Sequence, residues 1–294
     1  MILVAGSANL DFVVCAPHIP KPGETVLGHN LKTFPGGKGA NQAVACARAG
    51  GVSTCMLLAL GADDWATPLE ASLTAAGVQM HVVRVKDKAT GTAFICVSDD
   101  ADNAITVAPG ANLALAASDL PPLAGFTHLL LQLETPIATV TAYAQAARNQ
   151  GVKVVLNAAP AQVLPAELLA SIDLLIVNEG ELAIIVGHAG DVAQGLARLA
   201  VPCVVVTLGQ RGCCARVNDV FISQPAFEVT PVDTTGAGDT FCGALVAALS
   251  QGHTWPHALR WASAAGALAC TRPGAQSSIP SRAEVLAFSL SEIP

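Results

Sequence analysis

Asp233-Thr234-Thr235-Gly236-Ala237-Gly238-Asp239, running without a break into the apolar segment Thr240 to Leu249, reads as a glycine turn that opens a helix. Two glycines separated by one alanine let successive backbone N–H groups converge on one point, and the helix adds the positive end of its dipole. An anion such as a phosphate is the natural guest of such a cradle. A carboxylate at its mouth repels that guest, so Asp239 needs a reason of its own. Accepting a proton from an attacking hydroxyl is one; capping the helix is the other.

The same turn-into-helix pattern recurs upstream. Phe34-Pro35-Gly36-Gly37-Lys38-Gly39-Ala40-Asn41-Gln42 ends a predicted strand and opens an alanine-rich helix, Ala40 to Ala49. Neither cluster has the G-x-x-x-x-G-K-[ST] spacing of a Walker loop or the G-x-G-x-x-G of a dinucleotide fold, so those readings are disfavoured. Gly36 and Gly37 let backbone approach a small polar ligand, while Lys38 and Asn41 supply donors.

Between and beyond the clusters, runs such as Lys153 to Asn157, Leu174 to Val177 and Cys203 to Thr207 alternate with helical segments, Thr139 to Gln150 and Asp191 to Ala200. Strands with no polar face predict an α/β fold: a mostly parallel central sheet covered by helices on both sides, in three layers. Asn157, Asn178 and Thr207 fall at the carboxyl ends of their strands, where open α/β sheets bind ligands. Segments of about 12–34 and 92–107 break the pattern; they alternate polar with apolar residues and carry Pro and Gly. They predict a small β lid, discontinuous in sequence, on a single domain spanning 1–294.

Individual polar residues admit two readings each. Asn9 and Asp11, just after the first strand, suit adjacent hydroxyls of a sugar or form an Asx turn. Glu134 ends the strand Thr127 to Leu133 and either orients a hydroxyl or caps the helix near Pro136. Lys38 stabilises substrate or phosphate charge, or is simply solvated. Asn178 and Glu181, three residues apart, can hold Mg²⁺-bound waters and phosphate, or mark a helix N-terminus.

Composition narrows the class. A chain of 294 residues, 52% of them hydrophobic, can bury a full core. No apolar run reaches membrane-spanning length without Gly, Pro or a charge, and Met1 to Gly6 lacks the basic start of a signal peptide. A cytoplasmic address and no membrane partner are expected. Nine cysteines, with no C-x-x-C pair and no zinc spacing, read as buried free thiols. A formal charge of −7 argues against a nucleic-acid partner.

Both glycine clusters resemble the two signatures of the ribokinase family of carbohydrate kinases, also called the phosphofructokinase B family. Eight further matches extend the likeness over nearly the whole chain. Gly6 to Asp11 resembles its first-strand sugar motif and Pro22-Gly23-Glu24-Thr25 the run leading into its lid. Gly91-Thr92-Ala93 and Gly110-Ala111-Asn112 are similar to lid and post-lid positions, and Gln132-Leu133-Glu134 to a strand-end acid. Asn178-Glu179-Gly180-Glu181 resembles its NxxE motif, Thr207 to Gly212 its nucleotide loop, and Thr271 to Ala275 its C-terminal cation loop. Within the family the combination is more similar to the ribose-phosphorylating members than to those acting on fructose or adenosine.

The resemblance implies an ATP-dependent transfer to O5 of D-ribose, with Mg²⁺ carried by the nucleotide. Asn9, Asp11, Gly37, Lys38, Gly39, Asn41 and Glu134 would hold the sugar under a closing lid. Asp239 would take the hydroxyl proton, and the N–H groups of Gly236, Ala237 and Gly238 would hold the developing charge. Asn178, Glu181, Thr207, Gly209, Gly212 and Gly238 would meet the nucleotide, the glycines leaving room for ribose and phosphates, with Ser263 beside adenine. Asp233, Thr235, Ala269, Arg272, Gly274 and Ser278 would ring an activating K⁺, mostly through carbonyls. A homodimer packed through the lid is implied as well. Another sugar or a nucleoside as substrate, and a non-catalytic sugar-binding regulator, are the competing readings.

Overall fold

Strands with two apolar faces demand cover on both, and the computed structural model of the chain, which describes residues 1–100, 102–187 and 190–291, provides it. Strand β1 (Ile2–Ala5) sits near the middle of a nine-stranded sheet. Its Ile2 and Val4 enter one apolar cluster while Leu3 and Ala5 enter the other, as a period of two requires. The same division repeats in β4 (Thr54–Gly61), β8 (His128–Leu131), β9 (Lys153–Asn157), β10 (Leu174–Asn178) and β11 (Cys203–Thr207). Leu130, wholly buried in this way, is a side chain whose truncation to Ala typically costs about 2–5 kcal/mol.

The sheet runs β13-β12-β11-β10-β9-β8-β1-β4-β5. Its members from β11 to β5 (Gln79–Val85) are parallel, and β12 (Cys213–Val217) and β13 (Val220–Gln224) close one edge as an antiparallel ribbon. One face is covered by α1 (Lys38–Arg48), α2 (Ala66–Ala75), α7 (Ala237–Ser250), α8 (Trp255–Cys270) and α9 (Arg282–Ser291). The other carries α3 (Ile137–Asn149), α4 (Ala166–Leu169), α5 (Glu179–Val186) and α6 (Val192–Ala197). The predicted three layers are therefore present. Helix α6 is shorter than the expected Asp191 to Ala200 and begins with an Asp191 side-chain cap.

A second, four-stranded sheet in the order β3-β2-β6-β7 forms the lid, from β2 (Asn9–Ala16), β3 (His29–Gly36), β6 (Gly91–Ser98) and β7 (Asn103–Ala108). It reaches further inward than about 12–34 and 92–107. Asn9 and Asp11 lie within β2, not in a loop behind the first strand. Two residues apart on a strand, they share a face. Phe12 and Phe94 stack with ring centroids 5.4 Å apart, and Trp65 packs edge-on to Phe12.

The cysteines differ from expectation in burial. Cys46, Cys213 and Cys242 are buried, but the other six are only half-buried; all nine are free thiols. Among the described residues no helix is long and apolar enough to cross a membrane.

Candidate active site

Helix α7 begins at a glycine in the left-handed region, Gly236 with φ 74°, and has no side-chain cap. This leaves first-turn N–H groups without helical acceptors. The expected cradle of three donors is smaller than anticipated, because the Ala237 N–H donates to the Thr234 carbonyl at 3.2 Å. Among the described residues, the N–H groups of Gly236 and Gly238 make no such bond. A side chain on Gly238 would meet nothing within 4 Å, so the backbone is open on that side.

Asp239, one residue further on, does not cap its own helix. Its Oδ2 accepts from Asn41 Nδ2 at 3.0 Å and its Oδ1 from Gln42 Nε2 at 2.9 Å, both across to α1. Gln42 Nε2 also donates to Asn157 Oδ1 at 2.9 Å, while Gln42 Oε1 accepts from Gln132 Nε2 at 2.6 Å. Asn157 in turn donates to the Ile176 carbonyl. Four elements thus lock one carboxylate, which is 8% exposed. Sequence reading assigned no role to Gln42 or Gln132. The signal was available: Lys38, Asn41 and Gln42 stand at i, i+3 and i+4, a polar stripe on a helix that is otherwise Gly, Ala, Val and Cys up to its terminal Arg48.

Lys38 is not solvated at large. The Asp239 carboxylate holds its ammonium above the ordinary lysine pKa, against the opposing effect of burial, with Glu134 and Glu181 adding to the field. Lys38, Asn157, Asn178, Glu181, Thr207, Thr234, Gly236, Gly238, Asp239 and Cys242 line one cleft of about 240 Å³ at the carboxyl ends of the strands.

On the lid side, Asn112 positions Asn9. Its Nδ2 donates to Asn9 Oδ1 at 2.7 Å, while its Oδ1 accepts from the Ala8 N–H at 3.0 Å. Asp11 lies over Gly36, where any side chain would strike its carboxylate, and Gly37 takes φ 88° as the chain passes Ala8 and Asn9. Burial, then the charges of Glu134 and Asp239, push the Asp11 carboxyl up to about 7. Three acids therefore converge where sugar hydroxyls were expected.

Glu134 does not cap the helix that follows it. Its Oε2 accepts from the Lys38 N–H at 3.0 Å and from Ser7 Oγ, so it fixes the start of α1 and the glycine turn before it. That helix, α3, starts from Pro136 with no side-chain cap. Gly39 packs its backbone on Gly6 and Ser7.

Asn178 and Glu181 form a reciprocal capping box at α5: Asn178 Oδ1 accepts from the Glu181 N–H and Glu181 Oε2 from the Asn178 N–H, each at 2.8 Å. Burial raises the Glu181 carboxyl above its ordinary value, against the lowering by that N–H and by Lys38. Thr207 ends β11, and Gly209 opens the turn beside it. Gly212 is a glycine for a reason other than room for nucleotide: with φ 89°, a side chain there would strike the Gln224 carbonyl. Ser263 is 9% exposed, with its hydroxyl 3.7 Å from Cys213 Sγ.

The loops at 232–236 and 270–278 are tied together. Val232 and Asp233 donate their N–H groups to the Cys270 carbonyl, and Asp233 accepts from the Thr235 N–H at 2.9 Å and the Gly274 N–H at 2.8 Å. Partial burial would raise the Asp233 carboxyl, but the bonds from Thr235 and Gly274 outweigh it and hold it below its ordinary value. Arg272 sends its side chain away to Glu284 at 2.6 Å. Ser278 is buried and donates to the Ala275 carbonyl, while the Ala269 carbonyl accepts from the Arg272 N–H.

Comparison with known proteins identifies the family and the fold. The pfkB family carbohydrate kinase pattern matches residues 1–282. Ribokinase of Haemophilus influenzae is 39% identical over 306 aligned residues, covering 98% of this chain and 97% of that one. The crystal structure of ribokinase from Thermotoga maritima superposes with a TM-score of 0.90 at 38% identity, covering 98% of each chain. Arabidopsis thaliana ribokinase, whose structure is complexed with ribose and ATP, gives a TM-score of 0.90 at 32% identity over 100% of this chain and 99% of that one. With the match running nearly end to end and an acid set beside an open helix terminus, the chain belongs to the pfkB family of carbohydrate kinases.

Proposed function

We propose that the chain is an ATP-dependent ribokinase that phosphorylates O5 of D-ribose to give D-ribose 5-phosphate and ADP. The observation that carries this reading is Asp239, buried beside the unpaired N–H groups of Gly236 and Gly238 and fixed by Asn41 and Gln42. A carboxylate held from α1 keeps lone pairs for a hydroxyl proton without closing the anion site. Asn9 and Asp11 would hold ring hydroxyls from the lid, so that the primary hydroxyl reaches Asp239. Closure of the lid would exclude water from the transfer. The proton would pass from O5 to Asp239 while the phosphoryl group is received by the two glycine N–H groups and the Lys38 ammonium.

The nucleotide would lie along Asn178, Glu181, Thr207, Gly209 and Gly212, with Ser263 at the adenine end. A divalent cation such as Mg²⁺ supplies charge neutralisation on the phosphates. Asn178 and Glu181, at the start of α5 and lining the cleft, would hold that ion through water and phosphate oxygens. A monovalent cation such as K⁺ would be held at the tied loops by side-chain oxygens of Asp233 and Ser278 and by carbonyls of Thr235, Ala269, Arg272 and Gly274, and its charge would order the start of α7.

The whole chain then works as one catalytic domain with its lid drawn from two segments, in the cytoplasm. A homodimer through the lid is supported by the exposure of Ile105 and Val107 on one face of its sheet. Phe12 and Phe94 stack on the opposite face, where Trp65 packs edge-on to Phe12.

A panel of ribose, 2-deoxyribose, fructose and adenosine with coupled detection of ADP tests the reading. Ribose should give the highest kcat/KM. Faster turnover of another acceptor would move the assignment within the family, and no acceptor-dependent ADP release would favour a non-catalytic sugar-binding protein.

A further inference from the structure

Asp63 stands outside the cleft, in the turn between β4 and α2, and makes bonds that a turn does not need for itself. Its Oδ2 accepts from the Thr90 N–H and its Oδ1 from Thr90 Oγ1, each at 2.7 Å and 27 residues away in sequence. Thr90 Oγ1 accepts in turn from the Gly61 N–H at 3.0 Å. Thr90 is 1% exposed. Each of the three donors of this knot thereby has an acceptor, and it ties the end of β4 to the residue from which the lid departs.

Two consequences reach the acceptor site. Gly91, next in sequence, starts β6 in register with Asn9 on β2, and a side chain there would strike both Asn9 Oδ1 and Asn112 Nδ2. The root of β6 therefore sets how closely Asn9 meets Asn112. The chain leaving the lid after β7 is pinned alongside, because the Ala111 N–H donates to the Ala89 carbonyl at 2.8 Å. Two residues beyond Asp63, Trp65 meets Phe12 on the far face of β2 at 5.8 Å between ring centroids. One short turn thus touches both central strands of the lid, β6 at its root and β2 on its outer face.

We propose that Asp63 is a positioning residue for the acceptor site: by holding Thr90 it fixes where the lid leaves the main body and so where Asn9 presents its side chain to the sugar. The bonds to Thr90 are made by a carboxylate to an amide and a hydroxyl, the stronger kind of neutral-to-charged pair. An asparagine at this position keeps the size but turns an NH₂ toward one of the two donors. The kinetic part of the inference rests on the sugar-kinase reading, whereas the structural part does not.

The test compares the wild type with Asp63→Asn, Thr90→Val and Thr90→Ser. Hydrogen exchange of the ligand-free proteins is followed in β6 and β2 against β1 and β8, and KM is measured for ribose and for ATP. Asp63→Asn and Thr90→Val should speed exchange in the lid strands, leave β1 and β8 protected, and raise KM for ribose about tenfold with KM for ATP within about twofold. Thr90→Ser, which keeps the hydroxyl, should behave as wild type. Unchanged lid exchange in both disruptive variants would overturn the proposal, as would equal loss of protection in β1 and β8 or a matching rise in both KM values. If the wild type turned over no ribose, the functional reading would fail while lid exchange still decided the role of Asp63.

Discussion

Two helices point their N-termini into the same cleft and begin with the same pattern, yet they end differently. Helix α5 reads Glu179-Gly180-Glu181 and α7 reads Ala237-Gly238-Asp239, with glycine second and an acid third in each. In α5 the residue before the helix is Asn178, and the acid folds back to complete a capping box. In α7 that residue is Gly236, which has no side chain to offer, and the acid is drawn away by Asn41 and Gln42. In the first terminus the acid and the Glu181 N–H are taken up by its own sequence. In the second the acid is held by bonds from another helix, which leaves the Gly236 and Gly238 amides and the remaining lone pairs of the carboxylate for a guest.

This contrast predicts unequal responses to equivalent substitutions. Asp239→Asn should leave ribose binding within a few-fold and lower kcat by at least roughly a hundredfold, the low end for losing a positioned base. Steady-state kinetics beside calorimetric ribose titration checks it, and near-normal turnover would remove Asp239 from the chemistry. At the lid, Asn9→Ala should raise the dissociation constant for ribose by the equivalent of about 1–3 kcal/mol, with ATP binding unchanged. Equal weakening of both ligands would place the sugar elsewhere.

A smaller effect is expected from the monovalent cation. In matched ionic strengths of KCl, NaCl and tetramethylammonium chloride, initial rates should be several-fold higher in KCl, as expected if a charge beside α7 orders its open amides. Asp233→Ala should abolish the difference, and identical rates in all three salts would reject the cation loop as a functional element.

The smallest effect concerns Asp11 and pH. Its carboxyl is raised from 3.8 to about 7 by burial and by Glu134 and Asp239, so the folded protein binds this proton more tightly than the unfolded chain does. The associated stability is fully present below 3.8 and is lost as pH rises through about 7. Thermal melts of the ligand-free wild type should therefore decline across that window more steeply than those of Asp11→Asn. Parallel pH profiles would contradict the assignment.

Much of this was legible in the residues. Strands such as Leu174 to Val177, apolar on both faces, announce a doubly covered sheet, and the two glycine clusters mark both halves of the cleft. What period and spacing do not reveal is which partner wins a polar group that has several within reach. Glu134 stands just before a helix and was open to capping it, yet the preceding strand delivers it to Ser7 and the start of α1. Ala237 belongs to an apparent three-amide cradle, but a local turn claims its N–H. Gly212 sits in a nucleotide-loop motif, while its missing side chain is required by β13. Glu134 is claimed by partners 127 and 96 residues away and Gly212 by a neighbouring strand, beyond the reach of local pattern, whereas Ala237 loses its N–H to a carbonyl in its own turn.

The most direct test of the central claim compares the two helix starts within one spectrum. Backbone amide resonances of Gly236 and Gly238 in α7 and of Gly180 in α5 are followed as ribose, MgADP and aluminium fluoride, a mimic of the transferring phosphoryl group, are added together. The account predicts large shifts at Gly236 and Gly238 that depend on the fluoride, and only small ones at Gly180. Shifts confined to Gly180, or fluoride-dependent changes absent from α7, would contradict it.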